Sequence, residues 1–247
     1  MSAYAVLAAD RQRDLLEGIV LRCRDRKAGV PPVIVFDLDG TLFDNRPRTV
    51  AILHELAEQW ADREPEAAAC LRAATPNKMA YLLTDSLANI GVTRTELVAQ
   101  AETFWRDRFF VDSHLKFDVA LAGAVSFARD CYDAGAVVVY FTGRDLPLMG
   151  AGTFASLRDS GFPIGVVGTE LVLKPDALMP DEAFKRLVGP DLGRLGEVVA
   201  VFDNEPANCN VLLAHFPGAE SCLLDTQHLP GAPPPAALVH VISDFAR

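Results

Sequence analysis

The chain has 247 residues, a formal net charge of -10 and a pI near 4.9, and half of its residues are apolar. That balance excludes a non-specific nucleic-acid surface and an anionic-membrane surface, both of which need a basic face. It leaves ample material for a sizeable core. The five cysteines, at 23, 70, 131, 209 and 222, form no C-x-x-C pair and have no histidine at zinc spacing. They read as reduced, mostly buried thiols of a cytoplasmic protein. No signal peptide is expected, because residues 1–10 lack a basic start and a long apolar region. No apolar run has the length of a membrane span, so no membrane partner is expected either. The oligomeric state, monomer or homodimer, is left open.

In chain order, Val6, Leu7, Leu15, Leu16, Ile19, Val20 and Cys23 give a broad apolar stripe. This predicts a helix over 3–26 packed on the core or on a second subunit. After Pro31-Pro32, the run Val33-Ile34-Val35-Phe36 predicts a strand buried on both faces, as in a parallel sheet. It leads directly into Asp37, with Asp39 one residue further on and Gly40 able to turn both carboxylates towards one point. Two adjacent carboxylates repel and need a cation or a shared proton.

From 46 to 116 the pattern is helical and no strand interrupts it. Helices are expected near 48–61, 65–74, 77–90 and 95–110, the last opened by a Thr93/Glu96 capping box. About 70 residues of this kind make a small inserted all-helical domain. Asp44 is expected to cap the turn into it, and Arg46 and Arg48, at its first hinge, are expected to be surface charge or else to reach a ligand. Helix and strand then alternate: a helix near 119–134 and a strand over 136–142, a helix near 147–160 and a strand over 164–167. A helix near 181–195 follows with a strand over 198–203, then a helix near 205–215 and a strand over 221–225. Residues 229–237 read as a loop and 238–242 as a short last strand. This alternation predicts a doubly wound, Rossmann-like parallel sheet, with a core of 1–45 and 117–247 and a helical domain of 46–116.

Three apolar strands therefore end in a polar group on one sheet edge: Asp37, Thr142 and Asp203. Ligands of open α/β sheets bind at that edge. With Asp37-Leu38-Asp39-Gly40-Thr41-Leu42, Tyr140-Phe141-Thr142-Gly143-Arg144 and Val201-Phe202-Asp203-Asn204-Glu205-Pro206, the chain resembles the haloacid dehalogenase-like superfamily of phosphotransferases. The resemblance implies a helical cap inserted after the first strand. It implies that Asp37 is a nucleophile taking the phosphoryl group as an aspartyl phosphate. It implies Mg²⁺ held by the Asp37 carboxylate, the Asp39 main-chain carbonyl and the Asp203 carboxylate. Asp39 would give a proton to the leaving oxygen and then activate water. Thr41, Thr142, Gly143 and a lysine would hold the phosphoryl oxygens.

Dehalogenases of the superfamily lack a carboxylate at the position of Asp39, because halide needs no proton to leave. The resemblance therefore favours phosphate-ester chemistry. The lysine is Lys185, or else Lys174 in Lys174-Pro175. Arg144 is expected to meet either the substrate or a carboxylate. Asn204 and Glu205 are expected to support the metal or the lysine, or simply to open a helix, with Asn204 capping and Pro206 in the first turn. The five histidines are expected to be structural or exposed. The expected function is a Mg²⁺-dependent phosphatase acting on a small phosphorylated metabolite, with no nucleic-acid partner. A phosphomutase or other phosphotransferase using the same intermediate, and a binding protein on the same fold, are the alternatives.

Overall fold

The computed structural model describes residues 4–25 and 29–247. The first helix, α1 (Ala9–Arg24), falls inside the predicted 3–26; positions 3 and 26 lie outside the described residues. Next comes β1 (Pro32–Phe36), with all five residues buried. Ile34 and Phe36 face one core with Leu16 and Ile19 of α1, and Val33 and Val35 face a second core. That two-sided burial is why the strand reads as an unbroken apolar run rather than an alternating one. Each fully buried Val, Ile or Phe contributes about 1.5–3 kcal/mol relative to exposure.

The chain then forms β2 (Phe43–Asp44) and the helical insert: α2 (Arg46–Trp60), α3 (Pro65–Arg72), α4 (Leu83–Asn89) and α5 (Thr95–Phe109). Short 3-10 turns at Pro76–Lys78 and Asp112–Phe117 join these pieces. The insert has its own core around Leu53, Leu56, Trp60, Leu71 and Leu87. It returns through β3 (Val119–Ala120), which pairs antiparallel with β2, so a two-stranded stem joins insert and sheet. The expected capping box is not formed: Arg94 is the N-cap of α5, with no side-chain cap bond.

Beyond the stem run α6 (Ala124–Asp133), β4 (Val137–Asp145), α7 (Leu146–Ser160), β5 (Thr169–Lys174), α8 (Asp181–Val188), β6 (Glu197–Asp203), α9 (Pro206–His215), β7 (Glu220–Leu224) and β8 (Val239–Ile242). The six longer strands form one parallel sheet in the order β5-β4-β1-β6-β7-β8. Helices α1, α6 and α7 cover one face with Leu16, Phe127 and Leu157, and α8 and α9 cover the other with Phe184 and Leu212.

Two expectations are corrected here. Residues 164–167 are not a strand. Gly165 and Gly168 both take positive φ, a conformation that a strand cannot contain, and the strand forms at 169–174 instead. The helix expected over 181–195 ends at Val188 and continues as a 3-10 turn, Gly189–Arg194.

Candidate active site

The sheet order places β1 between β4 and β6, so Asp37, Thr142 and Asp203 meet at one edge. The Asp37 N–H donates to the Phe202 carbonyl at 2.9 Å, extending the β1–β6 ladder by one residue and fixing Asp37 beside Asp203. Gly40 has φ +76°, and a Cβ there would meet the Asn204 amide at 2.5 Å, so the turn that brings Asp39 back needs glycine. The Thr41 hydroxyl donates to Asp37 Oδ2 at 3.2 Å. Thr142 is buried in β4 and its Oγ1 accepts the Arg144 N–H.

Of the two lysines, Lys185 reaches the carboxylates. Its Nζ donates to Asp37 Oδ1 at 2.7 Å and to Asp203 Oδ2 at 2.5 Å. It does so from the second turn of α8, which packs through Phe184 onto Phe141 of β4. Burial opposes its charge, but Asp203 and Asp37 outweigh burial and hold the ammonium protonated. Lys174, at the end of β5, turns instead to Asp181 Oδ1 at 2.7 Å and to the Met179 carbonyl. Both lysines line the same cavity.

Burial pushes the Asp37 carboxyl up to about 8; Lys185 draws it down and Asp203 adds to the rise. Asp203 Oδ1 is held by the Glu205 N–H and the Asn208 amide. Among the described residues no three His, Cys, Asp or Glu side chains form a metal-holding group. The arrangement that does fit a hard cation is smaller. Two buried carboxylates, Asp37 and Asp203, share the single ammonium of Lys185. Mg²⁺ takes few carboxylates and keeps several waters, so this donor set suits it.

Asp39 is held differently. Arg144 binds it with Nε to Oδ2 at 2.7 Å and Nη2 to Oδ1 at 3.0 Å, and Arg48 Nη2 reaches Oδ1 at 2.5 Å. The Asn45 amide adds a fourth donor at 3.3 Å. Burial raises its pKa, but the two guanidiniums overwhelm that and hold the carboxyl well below the usual carboxylate range. Arg144 and Arg48 both also bind Asp118, which is buried just before β3. Arg144 is therefore committed to two carboxylates, Asp39 and Asp118. Arg48 is not surface charge as expected: its side chain is 0% exposed. Arg46, by contrast, pairs locally with Asp44, whose Oδ1 also accepts the Arg46 N–H.

Asn204 does not cap α9; the N-cap is Glu205, with Pro206 in the first turn. The Asn204 side chain lies near Thr41 and donates to the Gln227 carbonyl at 2.5 Å. Glu205 accepts the Leu229 N–H and meets the Tyr81 hydroxyl, and burial pushes it up to about 7. The segment after β7 thus joins core to insert. Gln227 Nε2 donates to the Met79 carbonyl at 2.6 Å, and Thr226 donates to the Gly40 carbonyl at 2.5 Å.

Sequence reasoning missed Asp118, Asp181, Gln227 and Tyr81, none of which lies in a motif. Arg48 did leave a signal: it shares the 48, 52, 56 stripe with buried Ile52 and Leu56, and a charge on an apolar helix face needs a partner. Between insert and core, Tyr81, Asp181 and Gln227 border a cavity of about 970 Å³, which opens onto Asp37, Asp203 and Lys185.

A family model, haloacid dehalogenase-like hydrolase, matches residues 31–207. Among solved structures, a candidate phosphatase from Clostridium difficile is 14% identical over 85% of this chain and 93% of its own, with a TM-score of 0.54. At that identity the likeness is one of fold. A candidate haloacid dehalogenase-like hydrolase from Bacteroides fragilis is 13% identical over 85% of this chain and 96% of its own, with a TM-score of 0.48. A search of curated proteins found no match.

Proposed function

The chain belongs to the haloacid dehalogenase-like hydrolases, and from that premise we propose that it is a Mg²⁺-dependent phosphatase of a small phosphorylated metabolite. The observation that carries the reading is Lys185, whose ammonium bridges Asp37 and Asp203 beneath the cavity. A cation set between a nucleophilic carboxylate and its neighbour is what attack on a phosphate dianion requires.

In this reading an Asp37 oxygen attacks phosphorus as the bond to the leaving alkoxide breaks, giving an aspartyl phosphate. Lys185, Thr142 and Thr41 surround the transferring group and offset its charge. Asp37, Asp203 and the Asp39 carbonyl would hold Mg²⁺, which supplies Lewis-acid charge at the phosphoryl oxygens when bound. A water then attacks phosphorus, its proton passes to Asp39, and the phosphorus–Asp37 bond breaks with its electron pair returning to Asp37. The guanidinium-bound carboxylate seen at Asp39 is the base form this second step uses. In the first step Asp39 gives a proton to the leaving oxygen, which requires one guanidinium contact to open. Arg48, from the insert side, is the one that a movement of the insert would release.

The insert, 46–116, serves as a cap that excludes water from the transfer step. Gln227 and Glu205 meet it from the core through Met79 and Tyr81, beside the bonds of Arg48 to Asp39 and Asp118. Measuring phosphate release across a panel of phosphomonoesters with Mg²⁺ tests the proposal. Turnover of at least one ester is expected; halide release from haloacids without any phosphate release would contradict it.

A further inference from the structure

The wall that the cap presents to the catalytic carboxylates carries a cluster of three aromatic rings, Trp105, Phe109 and Phe110. Positions 102, 105, 106 and 109 share one face of α5, and that face borders the cavity together with Phe110. Trp105 stacks on Phe109 at 4.3 Å between ring centroids, and Phe110 stands edge-on to both, at 5.6 and 5.0 Å. The indole N–H is already spent within the cap, donating to Thr49 Oγ1 at 3.2 Å. The far side of Phe109 is covered by the Arg48 guanidinium at 4.2 Å. What the three rings leave towards the cavity is ring surface, flanked on the same helix face by the charged Glu102 and Arg106. Phe110 is 42% exposed, and Tyr81 and Leu82, which also border the cavity, are 42% and 41% exposed. Large apolar side chains left open on the wall of a polar-floored cavity are the usual lining of a small-molecule site. A polyol ester would leave these ring faces wet.

We infer that the substrate is a phosphate monoester whose alcohol carries a planar aromatic ring, seated against Phe110 and Trp105 while the phosphoryl group lies at Asp37. The inference rests on the phosphatase reading above and names the leaving group for it. Ring-on-ring contact of this kind rewards planar groups with little dependence on their hydrogen-bonding pattern.

The test compares benzyl phosphate with glycerol 3-phosphate, in Mg²⁺, for the wild-type chain, Phe110→Ala and Phe110→Leu. Both esters leave as primary alkoxides, so the chemistry at phosphorus is alike and the ring is the difference. The wild type should favour benzyl phosphate in kcat/KM by about tenfold or more. Phe110→Ala should shrink that ratio by about tenfold, and Phe110→Leu, which keeps apolar area, should shrink it less. Equal use of the two esters, a preference for glycerol phosphate, or a ratio untouched by Phe110→Ala overturns the aromatic assignment alone. Release from neither ester, nor from any in the wider panel, overturns the phosphatase reading and this inference with it.

Discussion

Arg48 and Asp118 close a two-point ion pair across the base of the helical insert, with Nε to Oδ1 at 2.8 Å and Nη2 to Oδ2 at 2.6 Å. Arg48 lies in the first turn of the insert's first helix and Asp118 stands where the chain leaves the insert. Both side chains are 0% exposed. Buried charges of this kind persist only while each has its partner. Asp118→Asn leaves two guanidiniums, Arg48 and Arg144, sharing the one remaining carboxylate of Asp39. The expected loss of folding stability is about 3–5 kcal/mol, read from urea unfolding. A variant as stable as wild type would mean that the pair carries no structural weight.

Arg144 grips Asp39 by two parallel bonds, a geometry that only a guanidinium supplies. Arg144→Lys keeps the charge and loses the fork. In the proposed mechanism Asp39 moves protons in both half-reactions, so kcat should fall on the order of a hundredfold from misplacement of that carboxylate. KM should change far less, since Arg144 is committed to the carboxylates of Asp39 and Asp118. A KM rise with kcat unchanged would place Arg144 in substrate binding instead.

Lys185 and Lys174 separate by their partners. Lys185→Ala should lower kcat by about a hundredfold or more, the scale of losing one strong electrostatic donor. Lys174 is tied to Asp181 and Met179, so Lys174→Ala should leave kcat within a few-fold of wild type. Measuring kcat for both variants on one ester decides it. A dead Lys174→Ala beside a near-normal Lys185→Ala would reverse the assignment.

Activity should disappear with a chelator and return with Mg²⁺ but poorly with Ca²⁺. Ca²⁺ takes more ligands at longer distances than two carboxylates and a carbonyl provide. Full turnover in metal-free buffer would contradict the donor set of Asp37, Asp39 and Asp203.

How far the sequence spoke for itself follows from burial. Strands β1 and β6 are covered on both faces, so their apolar runs are continuous and their ends mark Asp37 and Asp203 directly. Strand β5 lies at the sheet edge and is mostly half-buried, so Thr169-Glu170-Leu171-Val172 mixes polar with apolar. The more apolar Ile164–Val167 reads as a strand but bends at the positive-φ Gly165 and turns at Gly168, with Val167 95% exposed. The motif residues were legible because their chemistry is local to strand ends. Asp118, Gln227 and the ring cluster were not, because each depends on contacts between segments far apart in the chain, and local pattern is silent about those. Lys185 was legible only as one of two candidates. What separates it from Lys174 is where α8 sits over β4, a fact of packing.

The central claim is that Asp37 becomes phosphorylated, and one substitution tests it most directly. Asp37→Asn keeps the shape of the side chain and removes its ability to form an acyl phosphate. Phosphate release should fall to background while the melting curve still shows a single cooperative transition. A folded Asp37→Asn protein that keeps more than a small part of wild-type turnover would contradict the account, because phosphoryl transfer would then proceed without the carboxylate on which the site is built.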